Sequence, residues 1–268
     1  MANLQRIRCL SSTARDGCIY LVVGGNGGIG SRVVERILIS NPKNLVAVAC
    51  RTTEGADEFA KKISNGPAGQ INTGRILPLK ADVTIPGEVE ACVSAVLNTY
   101  GRIDGVVNCA GSIILKPAHT TTEEEFNKTL SVNLNSCFSL LRCLARPMMK
   151  QKSGSIVFCS SSVAKIGLPN HEAIAAAKAG VAGLALSAAS TYAKSGIRIN
   201  VVSPGLTDTK LASRITGSEA ALRASLAMHP LGRIAQPDEV ASAIHFLLDH
   251  PHITGQVLAV DGGLSSLK

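Results

Sequence analysis

The sequence predicts a single α/β domain in which helices cover both faces of one doubly wound parallel sheet. Short β-branched runs alternate with segments of helical periodicity along the 268 residues, an alternation typical of parallel sheets. Hydrophobic residues make up 46% of the chain but aromatic residues only 3%, so Ala, Val, Ile and Leu must fill the core. Strands that are buried on both faces use these residues. A glycine-rich turn also follows the first predicted strand.

The first predicted unit is a strand, a turn and a helix. Residues 18–23 form a short apolar β-branched run that ends at the glycine-rich turn. Beyond this turn, Val33, Val34 and Ile37 recur at helical spacing. This order is the opening of a βαβ unit.

The rest of the chain repeats the alternation, so residues 18–268 are assigned to one domain. Further strands are predicted at residues 45–50, 76–79, 103–108, 155–159, 198–202 and 256–260. Helices are predicted at residues 55–63, around 89–97, and at 123–149, 171–193 and 237–248. Residues 208–229 have mixed helical character with no strand directly after them, and we expect a lid over a binding site there.

The amino-terminal segment, residues 1–17, is predicted to lie outside this domain. It carries Arg6, Arg8 and Arg15 against the single acid Asp16. The segment is either a frayed basic tail or a short mitochondrial presequence. The eight cysteines include no Cys-x-x-Cys pair and are interpreted as apolar residues of a reducing compartment, rather than as a disulfide framework. We therefore expect the protein in the cytoplasm or the mitochondrial matrix.

Composition excludes several classes of function. The formal net charge is +8, but no run of Lys and Arg, and no basic residues interleaved with aromatics, mark a nucleic-acid surface. The most apolar run, residues 179–193, is bounded by Lys178 and Lys194 and is too short to span a bilayer. The histidines show no metal-ligand spacing. We expect a soluble protein without a metal, whose diffuse positive charge favours an anionic small ligand.

The glycine-rich turn points to a nucleotide diphosphate. Gly24, Gly28 and Gly30 leave the main chain bare where a helix begins, and helix N–H groups there can bind phosphate oxygens. Asn26 and Ile29 lie in the same turn and join the predicted contacts. Such a turn can also be an ordinary tight loop, but its place between a strand and a helix favours nucleotide binding.

Short motifs after the predicted strands resemble the family of short-chain dehydrogenases/reductases. Beyond the glycine-rich turn, the matching motifs are Asp82-Val83, Asn108-Cys109-Ala110-Gly111, Val132-Asn133-Leu134, Ser160-Ser161-Ser162, Asn200-Val201-Val202-Ser203-Pro204-Gly205, Pro230-Leu231-Gly232-Arg233, Thr254-Gly255-Gln256 and Asp261-Gly262-Gly263. The resemblance covers residues 18 to about 265. It implies a Rossmann-type fold and an oxidoreductase that uses a nicotinamide dinucleotide.

The resemblance also implies which residues contact this cofactor. From the adenine to the nicotinamide end they are Asp82, Val83, Asn108, Ala110, Gly111, Pro204, Gly205, Thr207 and Thr209, with Lys178 on the nicotinamide ribose. At the end of the second strand, an acidic residue would bind the ribose 2′-hydroxyl of NAD. Cys50 occupies this position and Arg51 follows. Because a guanidinium can pair with a 2′-phosphate, NADP(H) is favoured over NAD(H); a solvated surface charge is the alternative for Arg51.

The catalytic set implied by the resemblance is incomplete in this sequence. The family combines an Asn, a Ser, and a Tyr four residues before a Lys, a spacing that lets the ammonium lower the pKa of the phenol. Asn133 and Lys178 match this set, but Ile174 stands in place of the Tyr. The serine is either Ser161 or Ser162, because counting from the helix and counting from the strand select different residues.

Without the phenol, another group must supply the proton. His171 lies three residues before Ile174 and its ordinary pKa suits proton transfer, although a helix cap is the alternative for this residue. The candidate serine, or a water held by Asn133 and Lys178, could also act.

Two functions of different classes follow. The leading hypothesis is an NADP-dependent oxidoreductase that acts on a carbonyl or an alcohol through an atypical proton relay. The competing hypothesis is a catalytically inactive nucleotide-binding subunit or sensor. Asn133 and Lys178 favour the enzyme, whereas Ile174 favours the inactive subunit. A third possibility is that the substrate supplies its own acid, or that the protein catalyses only an isomerisation or an elimination.

The sequence also indicates a substrate class and an assembly. The predicted lid offers Leu211, Ile215, Leu222 and Leu226 as an apolar lining, which favours an apolar small-molecule substrate. The predicted helix that carries Lys178 is rich in Ala and Gly, and small side chains allow close helix contacts. We therefore expect a homodimer or homotetramer, with packing inside one chain as the alternative.

Overall fold

The computed structural model describes residues 17–64 and 72–267. Residues 1–16 of the predicted tail or presequence lie outside the described residues. The strands are β1 (Ile19–Val23), β2 (Leu45–Cys50), β3 (Ile76–Lys80), β4 (Gly105–Asn108), β5 (Gly154–Cys159), β6 (Ile197–Pro204) and β7 (Val257–Val260).

These strands form one seven-stranded sheet in the order β3-β2-β1-β4-β5-β6-β7. Every neighbouring pair runs parallel. The order reverses between β1 and β4, and ligands of such sheets bind outside the carboxyl ends of the strands at this switch point. The predicted doubly wound α/β fold is confirmed.

The core has one apolar layer on each face of the sheet. Val106 of β4 and Ile156 of β5 are buried in one layer, whereas the next residues, Val107 and Val157, are buried in the other. Successive strand residues point to opposite faces, so strands that are apolar throughout must be covered on both sides. The helices supply this cover.

The helices connect the strands on both faces. They are α1 (Gly28–Ser40), α2 (Thr53–Ser64), α3 (Pro86–Tyr100), α4 (Glu123–Leu130), α5 (Ser136–Gln151), α6 (Glu172–Tyr192), α7 (Ser213–Thr216), α8 (Glu219–Met228) and α9 (Pro237–Asp249). The start of α4 carries a capping box formed by Thr122 and Glu125. The short helices α7 and α8 lie in the region predicted to be a lid.

The long helix predicted over residues 123–149 is interrupted. α4 ends at Leu130, and Ser131–Asn135 form a π-helical turn before α5 begins. Asn133 is buried in this turn, and its amide nitrogen donates to the carbonyl of Thr129 at 3.0 Å. Single π-helical turns inside α-helices are rare and often lie at functional sites, and one such turn is too short to be visible in the apolar pattern of a long helical stretch.

One helical stretch of the described chain, Glu172–Ser195, has the length and the mean hydropathy, 1.5, of a membrane span. The sequence predicted no such run, because Lys178 and Lys194 bound its most apolar part. The structure packs α6 against β6, and 44% of the most apolar window is buried. A core helix passes the same test, so this stretch gives little support for a membrane location.

Candidate active site

The glycine-rich turn forms a bare main-chain cradle between β1 and α1. Gly24 has a φ of +70°, and a Cβ there would lie 2.8 Å from the main-chain nitrogen of Ala110. A Cβ on Gly30 would lie 2.3 Å from the carbonyl oxygen of Gly24, and a Cβ on Gly28 would lie 2.6 Å from Cγ2 of Thr209. Side chains are therefore excluded where α1 begins, and its N–H groups are available to an anion.

The end of β2 brings Cys50 and Arg51 next to this turn. The buried Cys50 thiol accepts a hydrogen bond from the main-chain N–H of Asn26, although burial raises its pKa overall. Arg51 is exposed. The pKa of Asp82 is lowered by two hydrogen bonds from Thr84 and further by the charge of Arg51. Arg51 and Asp82 are therefore close enough to interact.

The turn after β4 is tied to α5 and to the π-helical turn. Nδ2 of the buried Asn108 donates to Oγ of Ser136 at 3.0 Å, and its Oδ1 accepts from the N–H of Ala110 at 3.1 Å. Oδ1 of Asn133 accepts from the N–H of Ser112 at 3.2 Å, and Nδ2 of Asn133 donates to the Ser112 hydroxyl at 3.0 Å. These bonds fix the turn in one position.

A cavity of about 230 Å³ opens at the carboxyl ends of the strands. The residues from the sequence analysis that line it are Ile29, Ala110, Gly111, Asn133, Ser161, Ser162, Lys178, Pro204, Gly205, Thr207 and Thr209. The other predicted contacts follow the ends of β1, β2 and β3, namely Gly24, Asn26, Gly28, Gly30, Arg51, Asp82 and Val83, and Asn108 is the last residue of β4. The two sets together form a row along one edge of the sheet.

Lys178 reaches the cavity from α6. It is 8% exposed, and its Nζ donates to the carbonyl of Cys159 at 2.9 Å. A Cβ on Gly111 would lie 3.7 Å from this Nζ. The hydroxyl of Ser160 donates to the carbonyl of Lys178 at 2.8 Å, so the end of β5 holds α6 in place. Burial lowers the pKa of Lys178.

Ile174 lies one helical turn before Lys178 and lines the same cavity. It is 4% exposed, and its hydrocarbon side chain cannot donate a proton. The chain has three tyrosines: Tyr20 lies within β1, Tyr100 ends α3 and Tyr192 ends α6. None of the three borders the cavity.

Both candidate serines border the cavity. Ser161 precedes a short 3₁₀ turn, and its Oγ accepts from the N–H of Val163 at 3.4 Å. Ser162 is 2% exposed and begins the same turn. The two therefore differ in burial but share the cavity.

His171 occupies the position before the first residue of α6 and also lines the cavity. Its Nδ1 lies 2.7 Å from the carbonyl oxygen of Pro169. Because a carbonyl can only accept, Nδ1 carries a proton and Nε2 of the neutral ring is an acceptor. The residue is thus at the cap position, as the alternative interpretation expected, and beside the cavity as well.

The loop after β6 is held by a histidine that the sequence analysis did not single out. Nδ1 of the buried His229 donates to the carbonyl of Ser225 at 2.7 Å, and its Nε2 accepts from the N–H of Leu206 at 3.3 Å. A Cβ on Gly205 would lie 2.9 Å from this Nε2. His229 thus joins α8 to the loop that carries Thr207. An isolated histidine has no spacing that would have indicated this role.

The predicted lining of the lid is right for Leu211 and Ile215 and wrong for Leu222 and Leu226. α8 contributes Ser225 and Met228 instead. Leu226 lies about 100° of helix rotation away from Ser225, so its side chain points in another direction. The entrance is nevertheless largely apolar.

The arrangement fits a dinucleotide. A cradle without Cβ atoms and a helix amino terminus suit a diphosphate, and the row of polar groups leads from there to a buried ammonium. Within residues 17–64 and 72–267, no group of three or more His, Cys, Asp or Glu side chains could hold a metal ion. The fold and the site together define an α/β protein of the Rossmann type.

Similar proteins give the family. Residues 26–265 match the family model described as enoyl-(acyl carrier protein) reductase. The chain is 33% identical over 251 residues to the 3-oxoacyl-[acyl-carrier-protein] reductase FabG of Thermotoga maritima, with 93% of this chain and 98% of the relative covered. The chain belongs to the short-chain dehydrogenase/reductase family of oxidoreductases, and the family indicated by its motifs is confirmed.

Two further similar proteins bear on the chemistry. The chain is 36% identical over 253 residues to the cis-4-hydroxycyclohexanecarboxylate dehydrogenase of Sinomonas cyclohexanicum, covering 93% of this chain and 97% of that one. A crystal structure of an actinorhodin polyketide ketoreductase variant with NADPH superposes with a TM-score of 0.86 at 28% identity, covering 93% of this chain and 98% of that chain.

Proposed function

We propose that this protein is an NADP(H)-dependent oxidoreductase that interconverts a carbonyl and an alcohol on a small apolar substrate. Two similar enzymes are named an oxoacyl reductase and a hydroxycyclohexanecarboxylate dehydrogenase, and these names refer to a ketone and a hydroxyl group. The similar ketoreductase structure contains NADPH. The apolar cavity entrance, with Leu211, Ile215 and Met228, supports an apolar substrate.

The row of residues along the sheet edge would hold the dinucleotide. Asp82 and Val83 would contact the adenine, and the glycine-rich turn would bind the diphosphate. Arg51, exposed beside Asp82, would pair with a 2′-phosphate. When bound, the nicotinamide supplies or accepts the hydride. The residues that line the cavity after β4 and β6 would orient that ring.

The observation that carries the proposal is the buried ammonium of Lys178 at the cavity wall. Burying a charge is costly unless something compensates, and the carbonyl of Cys159 compensates in part by accepting from Nζ of Lys178. Ser160 bonds the main-chain carbonyl of Lys178 and so fixes the position of α6, not the charge. The remaining Nζ protons can bond a cofactor ribose and stabilise the developing alkoxide. A lysine with a purely structural role would make neither interaction.

The proton would travel by an atypical route, because the residue one turn before Lys178 is an isoleucine. Asn133 holds the turn through Ser112 and so keeps the cavity wall in place. A hydroxyl from Ser161 or Ser162, or a water beside Lys178, would then deliver the proton to the product. Loss of a positioned acid lowers a rate by about 10²- to 10⁴-fold, so we expect slow turnover.

A second candidate function is that of a catalytically inactive nucleotide-binding subunit. The side chain of Ile174 favours this function, because it is buried in the cavity wall and has no dissociable proton. In this case, the cofactor would bind with similar affinity, but no substrate would be reduced.

NADPH oxidation with a panel of ketones tests both functions. We expect slow turnover by the wild type, none by Lys178→Met, and a rate roughly 10²- to 10⁴-fold higher for Ile174→Tyr. The matched control is Lys194→Met, which replaces an exposed lysine next to the end of α6 and should behave as the wild type. NADPH binding without wild-type turnover, but with turnover by Ile174→Tyr, would instead show the inactive subunit.

A further inference from the structure

Two thiols meet at the wall of the cavity. Cys159 ends β5, and Cys109 follows the last residue of β4. Because Asn108 and Phe158 are register partners, the next residues along both strands lie side by side. Their Sγ atoms are 3.8 Å apart. The two cysteines therefore form a contact pair at the carboxyl edge of the sheet.

The pair differs in accessibility from two thiols of the buried core. Cys109 and Cys159 are only partly buried and line the cavity. Cys92 and Cys137 are 3% and 1% exposed and do not border the cavity, and burial raises their pKa values to about 12 and about 11. A small solute that enters the cavity can reach the contact pair.

The two members of the pair are chemically unequal. The hydrogen bond between the two thiols lowers the pKa of Cys159, and the positive charge of Lys178 lowers the pKa of both. The same hydrogen bond, together with burial, raises the pKa of Cys109. Cys159 is therefore the thiol that ionises first, with a neutral thiol in contact with it. This is the arrangement of an attacking and a resolving cysteine.

We propose that Cys109 and Cys159 form an oxidisable dithiol site that reacts with small hydroperoxides. The Cys159 thiolate attacks the peroxide O–O bond, which breaks to give a Cys159 sulfenic acid and, with hydrogen peroxide as oxidant, water. The Cys109 sulfur then attacks the sulfenic sulfur, forms the disulfide and releases a second water. One peroxide is reduced to two waters while two thiols are oxidised to one disulfide.

The disulfide would disturb the site around it. The two sulfurs must approach from 3.8 Å to about 2.05 Å. The turn that moves with Cys109 packs against the glycine-rich turn, since a Cβ on Gly24 would lie 2.9 Å from the carbonyl carbon of Cys109. The carbonyl of Cys159 holds Nζ of Lys178. We expect weaker NADPH binding after oxidation, an effect that rests on the proposed function, whereas disulfide formation itself does not.

Peptide mapping after treatment with hydrogen peroxide tests the site directly. Trypsin releases Cys109 within residues 103–128 and Cys159 within residues 153–165, each as the only cysteine of its peptide. Blocking free thiols before digestion should leave these two peptides joined by a disulfide, which a reductant separates. Absence of the joined peptides, or cysteine oxidation that links separate chains instead, would overturn the proposal.

Single variants test the order of the steps. In Cys109→Ala, the sulfenic acid on Cys159 should persist and be trapped by a 1,3-dione. In Cys159→Ala, oxidation of Cys109 should slow by about tenfold or more, because the more readily ionised thiol is gone. Cys143→Ala, which removes a partly buried thiol outside the cavity, is the control and should react as the wild type. Equal oxidation rates in Cys159→Ala and the wild type would contradict the assignment.

Discussion

Two residues that lie one helical turn apart on α6 decide the chemistry of this cavity. Lys178 brings a buried ammonium, and Ile174 brings a branched hydrocarbon. Asn133 keeps the facing wall in position through its amide. A site of this kind retains the groups that can hold a dinucleotide and polarise a substrate. A group other than a phenol must then donate the proton.

The buried position of Lys178 predicts how NADPH binding depends on pH. Burial lowers its pKa below the ordinary 10.5, so the ammonium loses its proton as the pH rises toward 10.5. The dissociation constant for NADPH should increase in that range, by up to about tenfold per pH unit above the pKa. Fluorescence titrations at increasing pH measure this, and Lys178→Met should show a flat profile.

A control variant and the pH dependence of the free energy of unfolding give two separate checks. Lys194→Met should keep the wild-type profile, and an equally steep profile in Lys178→Met would show that another group titrates. Because the unfolded chain binds this proton more tightly than the folded one, the contribution of Lys178 to the free energy of unfolding should rise with pH in the same range. Urea titrations of both variants compare that contribution.

At the scale of elements, the glycine-rich turn makes a prediction about two glycines. A Cβ on Gly30 would lie 2.3 Å from a main-chain oxygen, whereas nothing lies within 4 Å of a Cβ on Gly87. Gly30→Ala should therefore lower the free energy of unfolding by roughly 1–3 kcal/mol and weaken NADPH binding. Gly87 is an exposed residue in the first turn of α3, and Gly87→Ala should raise the free energy of unfolding by about 0.4–1 kcal/mol. Urea unfolding and NADPH titration measure the two effects, and equal behaviour of the two variants would refute this description of the turn.

The elements themselves could largely be predicted from the sequence. The run at Leu45–Cys50 predicted β2 with the bounds that the structure has, because a short apolar run bounded by polar residues is typical of a buried strand. The π-helical turn Ser131–Asn135 could not be predicted, since one such turn is too short to be visible in the apolar pattern of a long helical stretch. The contact between Cys109 and Cys159 could not be seen either, because it depends on the register of two strands that lie far apart in sequence.

A buried charge in β6 shows the same limit. Arg198 is 9% exposed, and its guanidinium donates to the carbonyls of Leu247 and Leu248 near the end of α9. It also donates to the hydroxyl of Ser155 in β5 at 2.9 Å. Cations stabilise helix carboxyl ends, but a single Arg in an apolar run gives no indication of the helix that it will meet.

At the scale of the whole molecule, the sheet order brings residues from six strands to one edge. The candidate cofactor contacts follow β1, β2, β3, β4 and β6, and the serines follow β5. No one of these segments forms a site alone. This explains why the motif order along the chain carries more information about function than any single motif.

The surface of α6 predicts the assembly that the sequence suggested. Ala173 and Ala177 are buried in the chain, whereas Ala176, Ala179 and Gly183 form an exposed stripe of small residues. We propose that this stripe lies in the interface of a homodimer or homotetramer. Light scattering coupled to gel filtration should give a dimer or a tetramer for the wild type and a smaller species for Gly183→Glu. A monomeric wild type would contradict this proposal.

A calorimetric titration with NADPH and NADH is the most direct measurement on the protein as a whole. One molecule of NADPH should bind to each chain more tightly than NADH, and Arg51→Ala should reduce or remove this preference while Lys61→Ala, another exposed cation, should leave it unchanged. If neither nucleotide binds even at millimolar concentration, the sheet edge does not hold a dinucleotide, and both proposed functions fail together.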